Sequence, residues 1–229
     1  MTNRSALLIL FGILMCSALH AQTPPPGYVP TDGLQLWYSF NNSLQPYDAG
    51  ANDISASEGN VSLAMDREGN QNSSVIFEEP NASLFADIAN VDNIPFVTGD
   101  PAISINFWHS ASVFGEGGTL AECYQYGNPY GGWRIAWEKL ADGSAEITAS
   151  YQNNTTDSCT ASVIIPEYDF AWHMTTVVFN SSGAIIYMDG SEAGSGTWTG
   201  ASGVFIQFPF NFSGLLYLGN WGNGLSNEA

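Results

Sequence analysis

The run Leu34-Gln35-Leu36-Trp37-Tyr38-Ser39-Phe40 puts Leu34, Leu36, Tyr38 and Phe40 on one side of an extended chain. The run from Ala102 to His109 does the same with Ile103, Ile105 and Phe107. This period of two recurs in short segments separated by Gly, Asn, Asp and Pro clusters, and beyond the first segment no stretch carries a helical period. Trp37 and Trp108 occupy the opposite sides of their runs, so both strands are expected to lie centrally in a sheet covered on each face. Further strands are predicted over 74–77, 133–138, 145–151, 161–165, 174–179, 185–188, 204–208 and 215–219. Asp142-Gly143 and Asn180-Ser181-Ser182-Gly183 predict two hairpins between neighbouring strands, and Asp189-Gly190 suits a tight turn better than a ligand. Residues 41–60 read as a polar loop. Without helical crossovers, these strands predict one all-β domain, a two-sheet antiparallel sandwich.

Composition narrows the partners. The 229 residues are 45% apolar and 13% aromatic, too rich for a disordered acidic tail. Asp and Glu number 22 against 4 Lys and Arg, a formal charge of -18. So few cations cannot neutralise phosphates, which excludes nucleic acid and anionic membrane surfaces as partners and leaves neutral polymers and metal cations.

Residues 1–21 carry Arg4, an apolar run from Ala6 to Met15, and Ser17-Ala18-Leu19-His20-Ala21. This is the three-part layout of a secretory signal, too short for a spanning helix and followed by Pro24-Pro25-Pro26. Cleavage after Ala21 is expected, followed by a Pro-rich linker over 22–30 and the sandwich over 31–229, with no membrane span left. Arg67, Arg134 and Lys139 then stand against 22 acids, a formal charge of -19. Cys123 and Cys159 remain as an even pair in an oxidising compartment, which predicts a disulfide.

Five ordered segments resemble a known group. They are Gly33-Leu34 through Trp37-Tyr38-Ser39-Phe40-Asn41; Asp66-Arg67-Glu68-Gly69-Asn70 leading into Ser74-Val75-Ile76-Phe77; Ile103-Ser104-Ile105-Asn106-Phe107-Trp108; Trp172-His173-Met174 with Ile185-Ile186-Tyr187-Met188-Asp189-Gly190; and Leu216-Tyr217-Leu218-Gly219. Together they resemble laminin G-like modules of the concanavalin A-like lectin and glucanase superfamily, in the form found in secreted bacterial proteins. The resemblance spans Gly33 to Asn220. It implies a jelly-roll sandwich with one concave sheet and a role in adhesion or glycan binding. Similar modules continue into a final strand with an acidic pair, whereas this sequence stops at Ala229, so the expectation is a longer protein whose last strand is missing here. An unpaired first strand would follow.

The Glu-x-Asp-x-x-Glu strand of glucanases, which alternation places on one face, is absent. Glu167-Tyr168-Asp169 comes nearest, but Trp172 replaces the third acid; Glu116, Glu122 and Glu138 are scattered. No Gly-x-Ser-x-Gly elbow and no phosphate loop occur, and His109 and His173 read as ordinary strand residues. No catalytic residue is assigned. Calcium is the expected cofactor, held by the loop after Phe40 through Asn41, Asp48 and Asp53, with Asn42 and Asn52 nearby. For ligand binding, the stretch 124–133 supplies Tyr124, Tyr126, Asn128, Tyr130 and Trp133, combining flat aromatic faces with amides that can bond sugar hydroxyls. The expected function is therefore a secreted or cell-surface, non-catalytic binding or adhesion module that recognises carbohydrate or an extracellular protein. A glycoside hydrolase or polysaccharide lyase domain and a structural spacer in a larger adhesin are the alternatives.

Overall fold

A computed structural model describes residues 24–34, 36–44, 47–48, 54–59, 61–77, 83–88, 102–110, 117–125, 131–152, 157–166, 171–200 and 214–218. Fifteen strands and no helix are found among them. Two short ladders stand apart, β1 (Leu36–Trp37) with β2 (Tyr47–Asp48) and β4 (Val61–Ala64) with β5 (Ser74–Phe77). The other strands are β3 (Ile54–Gly59), β6 (Ser83–Ile88), β7 (Ala102–His109), β8 (Gly117–Gln125), β9 (Gly131–Lys139), β10 (Ala145–Gln152), β11 (Ser158–Ile165), β12 (His173–Asn180), β13 (Gly183–Met188), β14 (Ser191–Thr199) and β15 (Gly214–Leu218). They join in the order β3-β6-β15-β8-β9-β10-β11-β14-β13-β12-β7, antiparallel throughout.

This ribbon folds back on itself between β11 and β14. The two strands share only the pairs Ser158 with Thr199 and Cys159 with Trp198. Farther along, Gly194 and Gly196 face the β11 backbone so closely that a Cβ on either would stand 2.2 Å from the Ser162 carbonyl oxygen or 1.7 Å from that of Thr160. The spacing Gly-x-Gly puts both bare positions on one face of the strand, and that absence of side chains lets the inner face of β14 abut β11. The inner faces of the two halves then form one core. Trp133, Ile135, Ile147, Ala149, Tyr151 and Ala161 come from one half and Ile103, Val177, Phe179, Ala184 and Ile186 from the other. Tyr151 links them, its ring 5.5 Å from Phe179 and 5.7 Å, edge-on, from Trp198. Trp198 in turn donates its indole N–H to the Asn180 carbonyl at 2.9 Å.

The expected hairpins form. Asp142 accepts from the Ser144 N–H at 3.0 Å and its hydroxyl at 2.6 Å while Gly143 takes φ 90°, which closes β9 onto β10. Asn180 and Gly183 bracket the β12–β13 turn. Asp189 and Gly190 adopt φ 49° and 82°, the pair of left-handed residues that a type I′ turn between β13 and β14 requires.

Three expectations are corrected. Among the described residues the first strand covers only Leu36–Trp37, with Phe40 and Asn42 beyond it turning left-handed at φ 55° and 54°, and it pairs along one edge with β2. Residues 41–60, expected as loop, contain β2 and β3. Trp108 is 43% exposed, with the Arg67 guanidinium 4.4 Å from its ring centroid. The strand expected over 204–208 lies outside the described residues.

Candidate functional site

Strands β8 and β9 carry the most deeply buried carboxylate among the described residues, Glu122. Their register is continuous except at Leu120, where an extra residue separates the pair Thr119–Ala136 from the pair Ala121–Ile135. Such a bulge re-aims side chains. Here it puts Thr119 and Glu122 on the same face, away from the core, with Arg134 directly opposite Glu122. Arg134 Nε donates to Thr119 Oγ1 at 3.1 Å and lies 3.6 Å from Glu122 Oε2, so the hydroxyl takes the hydrogen bond and the carboxylate an ion pair. Glu122 is 1% exposed, whereas the Arg134 side chain keeps 31% of its surface in solvent. Removing the guanidinium would take the ion-pair partner from a buried carboxylate, at a cost below the about 3–5 kcal/mol of a fully buried pair, given that exposure.

The same face continues across the sheet. Arg134 is opposite Ser150, and Ser150 is opposite Thr160; one row over, Ala136, Thr148 and Ser162 follow one another. Thr148 and Ser150 are half-buried and Thr160 and Ser162 exposed, which makes a shelf of hydroxyls beside the Glu122–Arg134 pair. Glu138 and Glu146 are also opposite one another on this face.

Of the residues singled out for ligand binding, Tyr124 lies in β8 opposite Gly132, two positions beyond Glu122. Tyr126, Asn128 and Tyr130 fall outside the described residues. Trp133 is a correction: at 3% exposure it packs in the core, with no ring face open to a sugar and its indole N–H without a hydrogen-bond partner. The disulfide is likewise corrected. Cys123 is opposite Trp133, Trp133 opposite Tyr151 and Tyr151 opposite Cys159, so the two thiols lie three strand spacings apart, about 14 Å along the sheet. That exceeds the reach of a disulfide, and both thiols are free and buried. Burial pushes Cys123 up to about 12, with the Glu122 charge adding to it, and burial pushes Cys159 up to about 11.

For calcium, Asn41 is exposed, with its backbone N–H on Ser39 Oγ at 3.4 Å. Asp48 belongs to β2 opposite Leu36, and Asp53 falls outside the described residues. Among the described residues no three His, Cys, Asp or Glu side chains gather to hold a cation.

A second polar cluster closes the end of β7, β12 and β13. His109 and His173 are opposite one another, with ring centroids 6.3 Å apart. His173 Nδ1 meets Asp189 Oδ2 at 2.8 Å, and Asp189 Oδ1 accepts from the Met174 N–H at 2.8 Å. These bonds hold the Asp189 carboxyl below its usual range, the imidazole contributing most. Thr175 Oγ1 lies 3.0 Å from Met188 Sδ and shares a 2.8 Å hydrogen bond with His109 Nε2, so the hydroxyl ties the imidazole to the thioether. Burial, reinforced by His173, lowers His109 to about 4. The cluster reads as a brace for the Asp189-Gly190 turn.

Glu122 with Arg134 is the pair that sequence reasoning missed. The available signal was Arg134 itself, one of four basic residues in the chain.

No protein-family model matches the sequence, and no curated protein is similar to it. Solved structures do match in shape. One, described as a crystal structure of a receptor-binding domain, superposes with TM-score 0.55 at 16% identity over 82% of this chain; the match spans 43% of that chain. A Bacillus licheniformis beta-glucanase matches with TM-score 0.37 at 13% identity over 82% of this chain and 96% of its own. The likeness is one of fold: the chain is an antiparallel jelly-roll sandwich.

Proposed function

We propose that the chain is an exported, non-catalytic module that binds carbohydrate on the outer face of β8 to β11. The observation that carries this reading is the row Arg134, Ser150 and Thr160, which lines up a guanidinium, held by the buried Glu122, and hydroxyls on a face turned from the core. Vicinal sugar hydroxyls are bonded by such a mixture of donors and acceptors, and the fixed Arg134 fork costs little entropy to engage. Tyr124, singled out in the sequence for sugar stacking, supports it by standing two positions beyond Glu122 on β8. Export rests on the signal-like segment at residues 1–21, and among the described residues no helix is long and apolar enough to cross a membrane.

The glycoside hydrolase alternative draws on one observation, the opposed carboxylates Glu138 and Glu146, since hydrolysis needs two acids across one bond. One experiment weighs both readings. Binding to a polysaccharide panel is measured by affinity electrophoresis, with calcium and with a chelator, while product release is followed on the same polymers. Ser150→Tyr and Thr160→Tyr should each lower retention by about tenfold or more, a loss of at least ~1.4 kcal/mol. Thr197→Tyr, an exposed position on β14, should leave it unchanged. Retention insensitive to both shelf variants would refute the assigned face, and product release lost in Glu138→Gln would replace binding with hydrolysis.

A further inference from the structure

We infer that the polysaccharide taken by the β8–β11 face is an uncharged one, neither a uronate nor a sulfated polymer. The inference rests on the carbohydrate-binding reading above and concerns the charge class of its ligand.

Beyond residue 21 the chain has three cationic side chains, Arg67, Arg134 and Lys139. An anionic polymer needs several cations arrayed at the spacing of its charges, unopposed by carboxylates. Arg134 is the cation on the face, and its charge is offset by buried Glu122 at 3.6 Å, so the pair presents guanidinium donors with no net charge. Arg67 lies over Trp108 with Glu68 at 2.9 Å, on the β4–β5 turn that Asp66 fixes through the Glu68 and Asn70 N–H groups. Lys139, at the end of β9, adjoins Glu138, which is opposite Glu146 on the proposed face. The face therefore carries an acidic surplus, inside a molecule of formal charge -18.

Like charges at the edge of a site cost affinity and slow encounter. A neutral glycan escapes both penalties. Arg134 keeps its Nε on Thr119 and Glu122, which leaves the terminal N–H groups to donate to ring or hydroxyl oxygens, while Ser150, Thr148 and Thr160 supply both donors and acceptors.

The test is a binding panel of glucan, xylan and mannan against alginate, polygalacturonate and a sulfated galactan, measured between about 0.05 and about 0.5 M salt. A neutral polymer should be retained with affinity changing less than about twofold over that range, and the anionic polymers should not be retained. The double variant Glu138→Lys with Glu146→Lys reverses the opposed acidic pair of the face and leaves its hydroxyls and Arg134 untouched. It should acquire retention of alginate or polygalacturonate that fades at high salt, which shows that charge is what excludes those polymers. Preference of the unaltered protein for an anionic polymer, or failure of the lysine variant to gain such binding while neutral retention persists, overturns the inference and leaves carbohydrate binding standing. Retention of no polysaccharide at all removes the reading beneath it.

Discussion

Cys123 and Cys159 flank Tyr151 across three ladders, and that placement decides their chemistry. Both titrate well above neutral pH, at about 12 and about 11, because burial penalises the thiolate. The folded protein should therefore yield no reaction of these two thiols with a disulfide reagent near pH 8, and both should react at once in denaturant. Absence of free thiol in the unfolded protein would show a bridge and refute the register. His109 makes the second prediction at this scale. Its folded value, about 4, lies below the ordinary 6.5, so between those values the unfolded chain binds the extra proton. Stability contributed by the neutral imidazole is present above pH 6.5 and is lost as pH falls toward 4, by roughly 3 kcal/mol in all. His109→Gln, which keeps a partner for Thr175, should flatten the melting temperature over that interval while leaving acid unfolding below pH 4 in place. An unchanged slope would mean that another group carries it.

At the scale of the element, β14 is the strand that depends most on what its residues lack. Gly196→Ala would drive a Cβ to 1.7 Å from the Thr160 carbonyl oxygen, a backbone atom with no room to yield. Gly69→Ala adds its methyl in open space, at φ 86°. The second change should cost only about 1 kcal/mol of left-handed strain, the first more than about 4 kcal/mol or folding itself, as read from urea denaturation. Comparable losses would mean that the crossing is not so tight. The same glycines explain why β14 escaped sequence reading. In Ser191-Glu192-Ala193-Gly194-Ser195-Gly196 the inward positions have no side chains, so there was no alternation to detect. Strands such as Ala145–Gln152, where Ala145, Ile147, Ala149 and Tyr151 alternate with polar residues, were legible because one face is wet. Trp133 was read both ways, as the start of a strand and as the end of a binding loop. Its glycine neighbours suggested exposure, yet its alternation with Ile135 and Trp137 marked the buried side.

For the whole molecule, the all-β class and the antiparallel sandwich followed from alternation and turn chemistry, which are local. The way in which one ribbon becomes two layers did not, because it depends on where β11 meets β14, strands separated by a complete hairpin. The candidate site shares that difficulty. Glu122 and Arg134 become neighbours only through the β8–β9 register, and Glu122 faces outward with Thr119 only because Leu120 is extra. A frameshift of that kind leaves no mark in composition or period. The acidic balance, by contrast, was legible at once and is carried unchanged into the charge of the proposed ligand.

The folding of a single ribbon also has a mechanical meaning. Tension applied at β7 reaches the β8–β11 layer along the hydrogen-bonded ladder only by way of β12, β13, β14 and the two residue pairs that join β14 to β11. Eight consecutive pairs hold β10 to β11, so the ladder is far weaker at that junction than beside it. Under load, the two-pair junction is the seam where the layers begin to part. The Tyr151 contacts with Phe179 and Trp198 are the clasp that resists it.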